Sequence, residues 1–503
     1  MPRFNRYLIA LAVVLSAASP GAPSDTAYFV PTHRLPGIGS ARQPLTDETL
    51  AARTEAMIQS QTFGIMREPL AEQGAARIWS SGLQRLFHEA ERRTGFPAST
   101  LQAMAFIESW GVASAVSPAG PRGIMQMSEA TGKRIGLRIV YSTRRRTVKT
   151  QVTVRNKHGK LVTRTKRHKE TYTAMVRDDR LKPEKAIPAA AEYLAGMEQR
   201  YGGRDWAIWA YHCGEGCISE FKTVARNAGL DDSASVAKVF FSCSPVWNRE
   251  LSQAIHAQME RDYSPTYWFR VMRAEQLLRM YLEDPIEFHD LVEQYKYAAS
   301  PTQRAPDRLA AWLKPQDLIF QTSDHIKGED GSKLVAAPDD PEFFGYRLGL
   351  SGGVDGDNWR AKAMPSTIGT MAYIAFETRR LYAEMRPDDA FVPLDVTALV
   401  VPTGDSPPSN LQGTRLPDHA SGQVFDLSLS SLPPGEEECL QFVLDDLGWN
   451  GSLGFIEDPA AKQTMHIGCS PSSRDFFAQI YQEAQTAWQD RHTPPTTVPA
   501  VAQ

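Results

Sequence analysis

Leu101, Met104, Ala105 and Glu108 follow the i, i+3, i+4, i+7 spacing of one helical face, so a helix that buries the first three also turns Glu108 inward. A carboxylate buried without a partner holds its proton toward neutral pH, and a carboxylic acid protonated there can act as a general acid. Trp110, Gly111 and the turn Ser117-Pro118-Ala119-Gly120-Pro121 end the helix just beyond it, leaving the carboxyl beside a loop that a substrate can reach. Taken alone, Glu108 also fits a solvated helix-face glutamate paired with a nearby arginine. A second constellation lies far downstream, with His419 and Asp426 in DHASGQVFDLSL and His466 in TMHIG. Imidazole, carboxylate and imidazole suit a tetrahedral Zn²⁺ whose fourth position stays open for water.

The company Glu108 keeps narrows its chemistry. Glu108-Ser109, the SPAG of 117–120, the GIMQ of 123–126 and the SEATG that follows closely resemble the signature of the family 23 lytic transglycosylases, the soluble-lytic-transglycosylase domain of bacterial cell-wall enzymes. DDRLKPEKAIPAAAEYL (178–194) and WAIWAYHCGEG (206–216) resemble that family's second and third blocks in the same order, the second being nearest the membrane-bound lytic transglycosylase D type. The resemblance implies a mainly α, lysozyme-like domain whose partner is the glycan strand of peptidoglycan. It implies that Glu108 protonates the glycosidic oxygen between MurNAc and GlcNAc. The sugar's own C6 hydroxyl then attacks and Glu108 takes that proton back, leaving a 1,6-anhydro ring. By the same resemblance Met125 and Gln126 line the cleft, Tyr211 orients the saccharide, Gly123 lets the backbone approach it and Ser109 hydrogen-bonds near the acid. No cofactor is needed for this step. His212 and Cys213 depart from the family's third block, which has Asn and Ala there. A lysozyme-like muramidase and a non-catalytic cell-wall-binding scaffold stay as alternatives.

The downstream histidines and aspartate resemble, faintly, the D-alanyl-D-alanine carboxypeptidase superfamily of zinc peptidases, which implies that His419, Asp426 and His466 are metal ligands. Pro417 and Val424 stand where that family has Ser and Ala, and Gln463 occupies the offset of its general-base glutamate. A degenerate α+β module that positions the enzyme or binds stem peptides is the alternative.

These sites need elements to carry them. Ile78, Leu83, Leu86, Phe87 and Ala90 predict an amphipathic helix ended by Thr94-Gly95 and Pro97. The expected fold class is a mainly α lysozyme-like domain with a β-hairpin insertion, followed by a small α+β domain. The expected boundaries are a signal peptide at 1–22, an N-terminal extension at 23–75 and the transglycosylase-like domain at 76–285. A helical connector at 286–365, the α+β domain at 366–490 and a disordered tail at 491–503 follow. Such a leader, without a lipid-accepting cysteine, predicts an exported, periplasmic or secreted protein.

With 42% apolar residues and a net charge of −3, the composition is that of an ordinary globular protein and gives no bias toward nucleic acid. The charge is nonetheless unevenly spread. Residues 138–172 form the hairpin insertion, and Arg138 to Lys169 hold twelve Lys or Arg and no acid. This reads either as a solvated hairpin with charged edges or as a surface attracted to an anionic wall polymer or lipid. Five cysteines in an exported chain predict disulfides, with Cys439 and Cys469 the natural pair and at most one bridge among Cys213, Cys217 and Cys243.

Overall fold

The computed structural model describes residues 28–35, 45–68, 70–155, 157–262, 264–296, 312–313, 316–350, 359–404, 416–457 and 463–492. The expected signal peptide, and all but the first two residues of the expected tail, lie outside these. The chain divides into two compact units, one of Pro69–His212 with Ala274–His289, the other of Met1–Glu68, Cys213–Arg273 and Asp290–Gln503. The stretch 213–273, read in the sequence as continuous with the first domain, is thus grouped with the C-terminal half.

In the first unit, α1 (Ser81–Thr94) stops where Gly95 takes a left-handed conformation and donates its N–H to the Glu91 carbonyl. Pro97 then starts α2 (Ala98–Ser109). The sequence suggests a one-faced helix here, but Ala98, Thr100 to Phe106 and Ser109 are all buried, so α2 is a core helix covered nearly all round. From the GIMQ loop the chain runs into a long antiparallel ribbon, β1 (Ile139–Arg155) and β2 (Leu161–Asp178), in register from Ile139↔Asp178 to Arg155↔Leu161 with one irregularity at Val140/Tyr141. Then α3 (Pro183–Tyr201) begins on a proline, whose missing N–H costs nothing in a first turn. Finally α4 (Arg204–Cys213) stacks Trp206 on Trp209, ring centroids 5.4 Å apart, both buried. Those rings belong to the core and offer no face to a sugar.

The second unit is built on a five-stranded sheet. Its strands are β3 (Tyr346–Leu348), β4 (Leu394–Ala398), β5 (Val424–Ser428), β6 (Leu453–Glu457) and β7 (Thr464–Cys469), in spatial order β3-β4-β5-β7-β6. Only β3 and β4 run parallel. Against it pack α5 (Pro365–Met385) and α6 (Pro434–Trp449), and α7 (Arg474–His492) packs along α5. The N-terminal helix Asp47–Ser60 joins this unit through a buried ion pair between Arg53 and Asp446, with the guanidinium 4.6 Å over the Phe241 ring. Burial lowers the Arg53 pKa to about 10.

The cysteines pair as expected in one part of the chain and not in the other. Cys213 and Cys217 are disulfide-bonded across the Gly214-Glu215-Gly216 turn, while Cys439 on α6 and Cys469 on β7 are free and buried. These two serve as small apolar core side chains, and burial pushes the Cys439 thiol up to about 12, which suppresses its reactivity. No helix among the described residues is long and apolar enough to cross a membrane.

The α5–α7 contact is close enough to make a testable exception to helix propensity. A Cβ on Gly369 would stand 1.8 Å from the Phe477 carbonyl oxygen. Propensity alone predicts that Gly369→Ala stabilises by about 1 kcal/mol. The contact predicts a loss of about 1–3 kcal/mol from overpacking instead. Thermal unfolding should show a lowered midpoint, and a raised one would mean that the two helices are not so closely seated.

Candidate active site

Glu108 sits in the last turn of α2 and is half-buried. The helix does not fray after it, because Trp110 takes a left-handed conformation (φ 55°) and its N–H closes on the Phe106 carbonyl. A non-glycine residue in that region costs about 1–2 kcal/mol. The cost is offset by packing, with the Trp110 ring edge-on to Phe106 at 4.8 Å, and by a hydrogen bond from Arg77 to the Trp110 carbonyl. Gln126 is left-handed too (φ 43°), and its side-chain amide donates to the carbonyls of Gly123 at 2.8 Å and Ala115 at 3.3 Å. Two of the three non-glycine residues with positive φ among the described residues therefore frame one site. Backbone strain of this kind gathers where a site has to be held in shape.

The remaining expected residues gather around the same loop. Ser109 is buried, and its hydroxyl donates to the carbonyls of Ala105 at 3.1 Å and Ile124 at 2.8 Å, tying the end of α2 to the GIMQ loop. It is a brace beneath the acid. Met125 is fully buried, and its carbonyl accepts a 2.7 Å hydrogen bond from the Tyr211 hydroxyl, delivered from α4. Burial pushes the Tyr211 phenol well above its ordinary pKa, and the negative charge of nearby Glu108 adds to the shift. Glu108 and Tyr211 are thus electrostatic neighbours. Tyr193 on α3 lies beside Tyr211, ring centroids 6.3 Å apart.

The sequence gives Gly123 a different reason from the one in the structure. Its φ of +82° already favours glycine, and a Cβ there would stand 1.8 Å from the Arg180 carbonyl oxygen. What approaches residue 123 is the chain's own backbone. Arg180 was absent from the expected site because charged side chains in a sequence read as surface. It is fully buried, with a bidentate pair to Asp178 at 2.9 and 2.8 Å and a hydrogen bond to the Met127 carbonyl at 3.1 Å. Asp179 beside it is held well below the usual carboxylate range by Arg177, against the opposing effect of burial, with Lys185 assisting. The signal for this clamp is the run Asp178-Asp179-Arg180 at the start of the second block.

In the second unit the three downstream residues meet. Asp426 on β5 and His466 on β7 are direct cross-strand partners, and His419 comes from the short turn ahead of β5. One ligand atom from each lies within 4.8 Å of the others. His419 Nδ1 is 2.5 Å from the Leu399 carbonyl and His466 Nε2 is 3.1 Å from the Pro417 carbonyl. A carbonyl only accepts, so both of those nitrogens carry hydrogen. In a neutral ring the other nitrogens, His419 Nε2 and His466 Nδ1, then present lone pairs. They lie 3.1 and 2.8 Å from the same oxygen, Oδ1 of Asp426, which also only accepts. Lone pairs converging on a carboxylate require a cation between them, either protons on the rings or a metal ion. Without a metal, burial alone would lower the His419 pKa, but the charge and hydrogen bond of Asp426, with the Leu399 carbonyl, together outweigh it and hold the imidazole above its ordinary value. The donor set and the backbone carbonyls behind each ring fit a metal site. Gln463 has φ +65°, and exposed Glu457 accepts from its N–H at 3.4 Å.

Residues 85–151 and 160–232 match the family model described as the transglycosylase SLT domain. Over 154 residues, 30% of the chain, the sequence is 32% identical to the peptidoglycan transglycosylase gp16 of Escherichia phage T7, covering 9% of that protein. Over 155 residues, 29% of the chain, it is 27% identical to membrane-bound lytic murein transglycosylase F 2 of Alkalilimnicola ehrlichii, covering 26% of it. The chain thus spans about a quarter or less of either relative. The family match takes in Glu108, the GIMQ loop and Tyr211 and stops short of His419. The stretch that builds the Glu108–Tyr211 site is therefore similar in sequence to the transglycosylase SLT domain.

Proposed function

We propose that residues 76–285 act as a peptidoglycan lytic transglycosylase, cleaving the β-1,4 bond between MurNAc and GlcNAc without water. The observation that carries this reading is the half-buried Glu108, held at a braced helix end beside the half-buried Tyr211, within the stretch similar to the SLT domain. Glu108 gives its proton to the glycosidic oxygen as the bond to the muramyl C1 breaks, and positive charge develops on that ring. The C6 hydroxyl of the same sugar bonds to C1 and returns its proton to Glu108, so the carboxyl ends as it began. Ordinary glycosidases use a second carboxylate as nucleophile or water activator. In this scheme the substrate's own hydroxyl replaces it. Gln126 lines the cleft wall and Tyr211 orients the saccharide, with the buried Met125, Ser109 and Gly123 maintaining the loop on which they stand. The wall-facing compartment this requires agrees with the leader read at 1–22.

A second reading concerns the C-terminal unit, where the converging lone pairs of His419 and His466 favour a divalent metal with Asp426 as third ligand. Zn²⁺ suits these donors, and such an ion would supply Lewis-acid polarisation of a bound carbonyl. With Gln463 where a general base would be needed, the residues support metal and peptide binding in preference to peptide hydrolysis.

Three outcomes test these readings. Mass spectrometry of fragments released from purified peptidoglycan should show anhydro-muropeptides, reduced about a hundredfold or more in Glu108→Gln. Reducing ends would mean a muramidase, and no glycan product from folded protein would leave a wall-binding scaffold. Tyr211→Phe keeps the ring but loses the anchor to Met125, so kcat should fall about ten- to a hundredfold with folding intact. For the C-terminal unit, the refolded full chain should take up one Zn²⁺ by elemental analysis and lose it in Asp426→Asn with His466→Ala. Equal metal content in the two proteins would reduce the cluster to a hydrogen-bonded core feature.

A further inference from the structure

The β1–β2 ribbon has two unlike faces, and the register separates them. Directly opposite residues of an antiparallel pair share a face. Arg146, Glu170 and Tyr172 lie on one face, where Glu170 pairs with Arg146 at 3.3 Å and Arg146 covers the Tyr172 ring at 5.1 Å. On the other face, every residue of β1 from Thr143 to Arg155 and of β2 from Leu161 to Thr173 is exposed. This open face carries Arg145, Lys149, Arg167 and Lys169, with Arg155 apart from them at the tip, threonine at most of the remaining positions and no carboxylate. Glu170, the one acid between Ile139 and Arg177, is on the opposite side.

Lys149 and Arg167 are direct cross-strand partners, and like charges opposite one another are destabilising. Lys169 stands opposite Thr147 and Arg145 opposite Thr171, so all of them but Arg155 occupy three successive rows as a cluster of four. Rows on one face recur about every 7 Å along a strand. The cations therefore crowd into a strip about 14 Å long, with hydroxyl groups above and below it. A solvated edge needs neither this crowding nor the segregation of the single carboxylate to the other side.

We propose that this face binds a linear anionic polymer of the cell wall, laid along the ribbon with its phosphate or carboxylate groups against the four cations and the flanking threonine hydroxyls. The assignment to the wall rests on the transglycosylase reading above; the anion chemistry does not. Large apolar side chains that would enter a bilayer are absent from the face apart from Leu161 at the tip, which disfavours a lipid surface. Aromatic rings that would stack on bases are absent from the strip, Tyr141 lying at the base of this face with its hydroxyl held by Glu129, which disfavours single-stranded nucleic acid. The polymer would hold the domain on its substrate layer between cuts.

The test is binding of the full chain to poly(glycerol phosphate) at low and high salt, beside vesicles containing phosphatidylglycerol and single-stranded DNA. Replacing Arg145, Lys149, Arg167 and Lys169 together by Gln should weaken polymer binding by about tenfold or more at low salt. Replacing Arg144, Arg146, Arg164 and Lys166, an equal charge on the other face, should leave most of it. Equal losses from the two faces, no loss from the first, or tighter binding to vesicles or DNA than to the polymer would each overturn the proposal. No glycan cleavage enters this assay, so its result is separate from that of the transglycosylase test.

Discussion

The carbonyl of Arg180 lies where a side chain on residue 123 would begin, and from that close approach the arrangement of the first unit follows. It brings the end of the hairpin against the GIMQ loop and leaves room there only for glycine. Because Arg180 is buried, its charge has to be met, and Asp178 meets it with two hydrogen bonds while the Met127 carbonyl takes a third. Removing one partner of such a buried pair costs about 3–5 kcal/mol, far more than any exposed ion pair. The loop so fixed supplies the Met125 carbonyl to Tyr211 and the Ile124 carbonyl to Ser109. Acid, loop and phenol are thus positioned by a clamp that touches none of the reacting groups in the proposed scheme.

How much of this was legible in the sequence depended on whether the governing interaction was local. The helix carrying Glu108 could be read from four residues and a terminator, since periodicity and a left-handed stop are short-range properties. The ribbon was legible for the same reason, although the strands run on to Asp178, past the expected boundary at 172. The roles of Ser109 and Gly123 were not, because each depends on a contact with a segment distant in the chain. The expected Cys439–Cys469 bridge failed likewise, as no count of cysteines says which thiols the fold brings together. His419, Asp426 and His466 could be grouped by donor chemistry alone, but the two backbone carbonyls that fix their tautomers are visible only in three dimensions.

The two candidate centres use opposite electrostatic devices. At the first, one carboxylate and a half-buried phenol share a site, and the carboxylate's charge makes ionisation of the phenol harder. At the second, two imidazoles converge on one carboxylate, and their combined demand is for positive charge. The first arrangement suits moving a proton, and the second suits holding a cation.

A hydroxyl has one hydrogen, and Tyr211 has committed its own to the Met125 carbonyl. Ionisation cannot change this, because burial and the neighbouring carboxylate keep the phenol intact. Any ligand group arriving at that oxygen meets only lone pairs. The site therefore has a polarity of its own: it welcomes an amide N–H or a sugar O–H and turns away a carbonyl or carboxylate oxygen, whatever its size. Discrimination at this point would be by direction of hydrogen-bond donation, a form of selectivity that a change in cleft width cannot imitate.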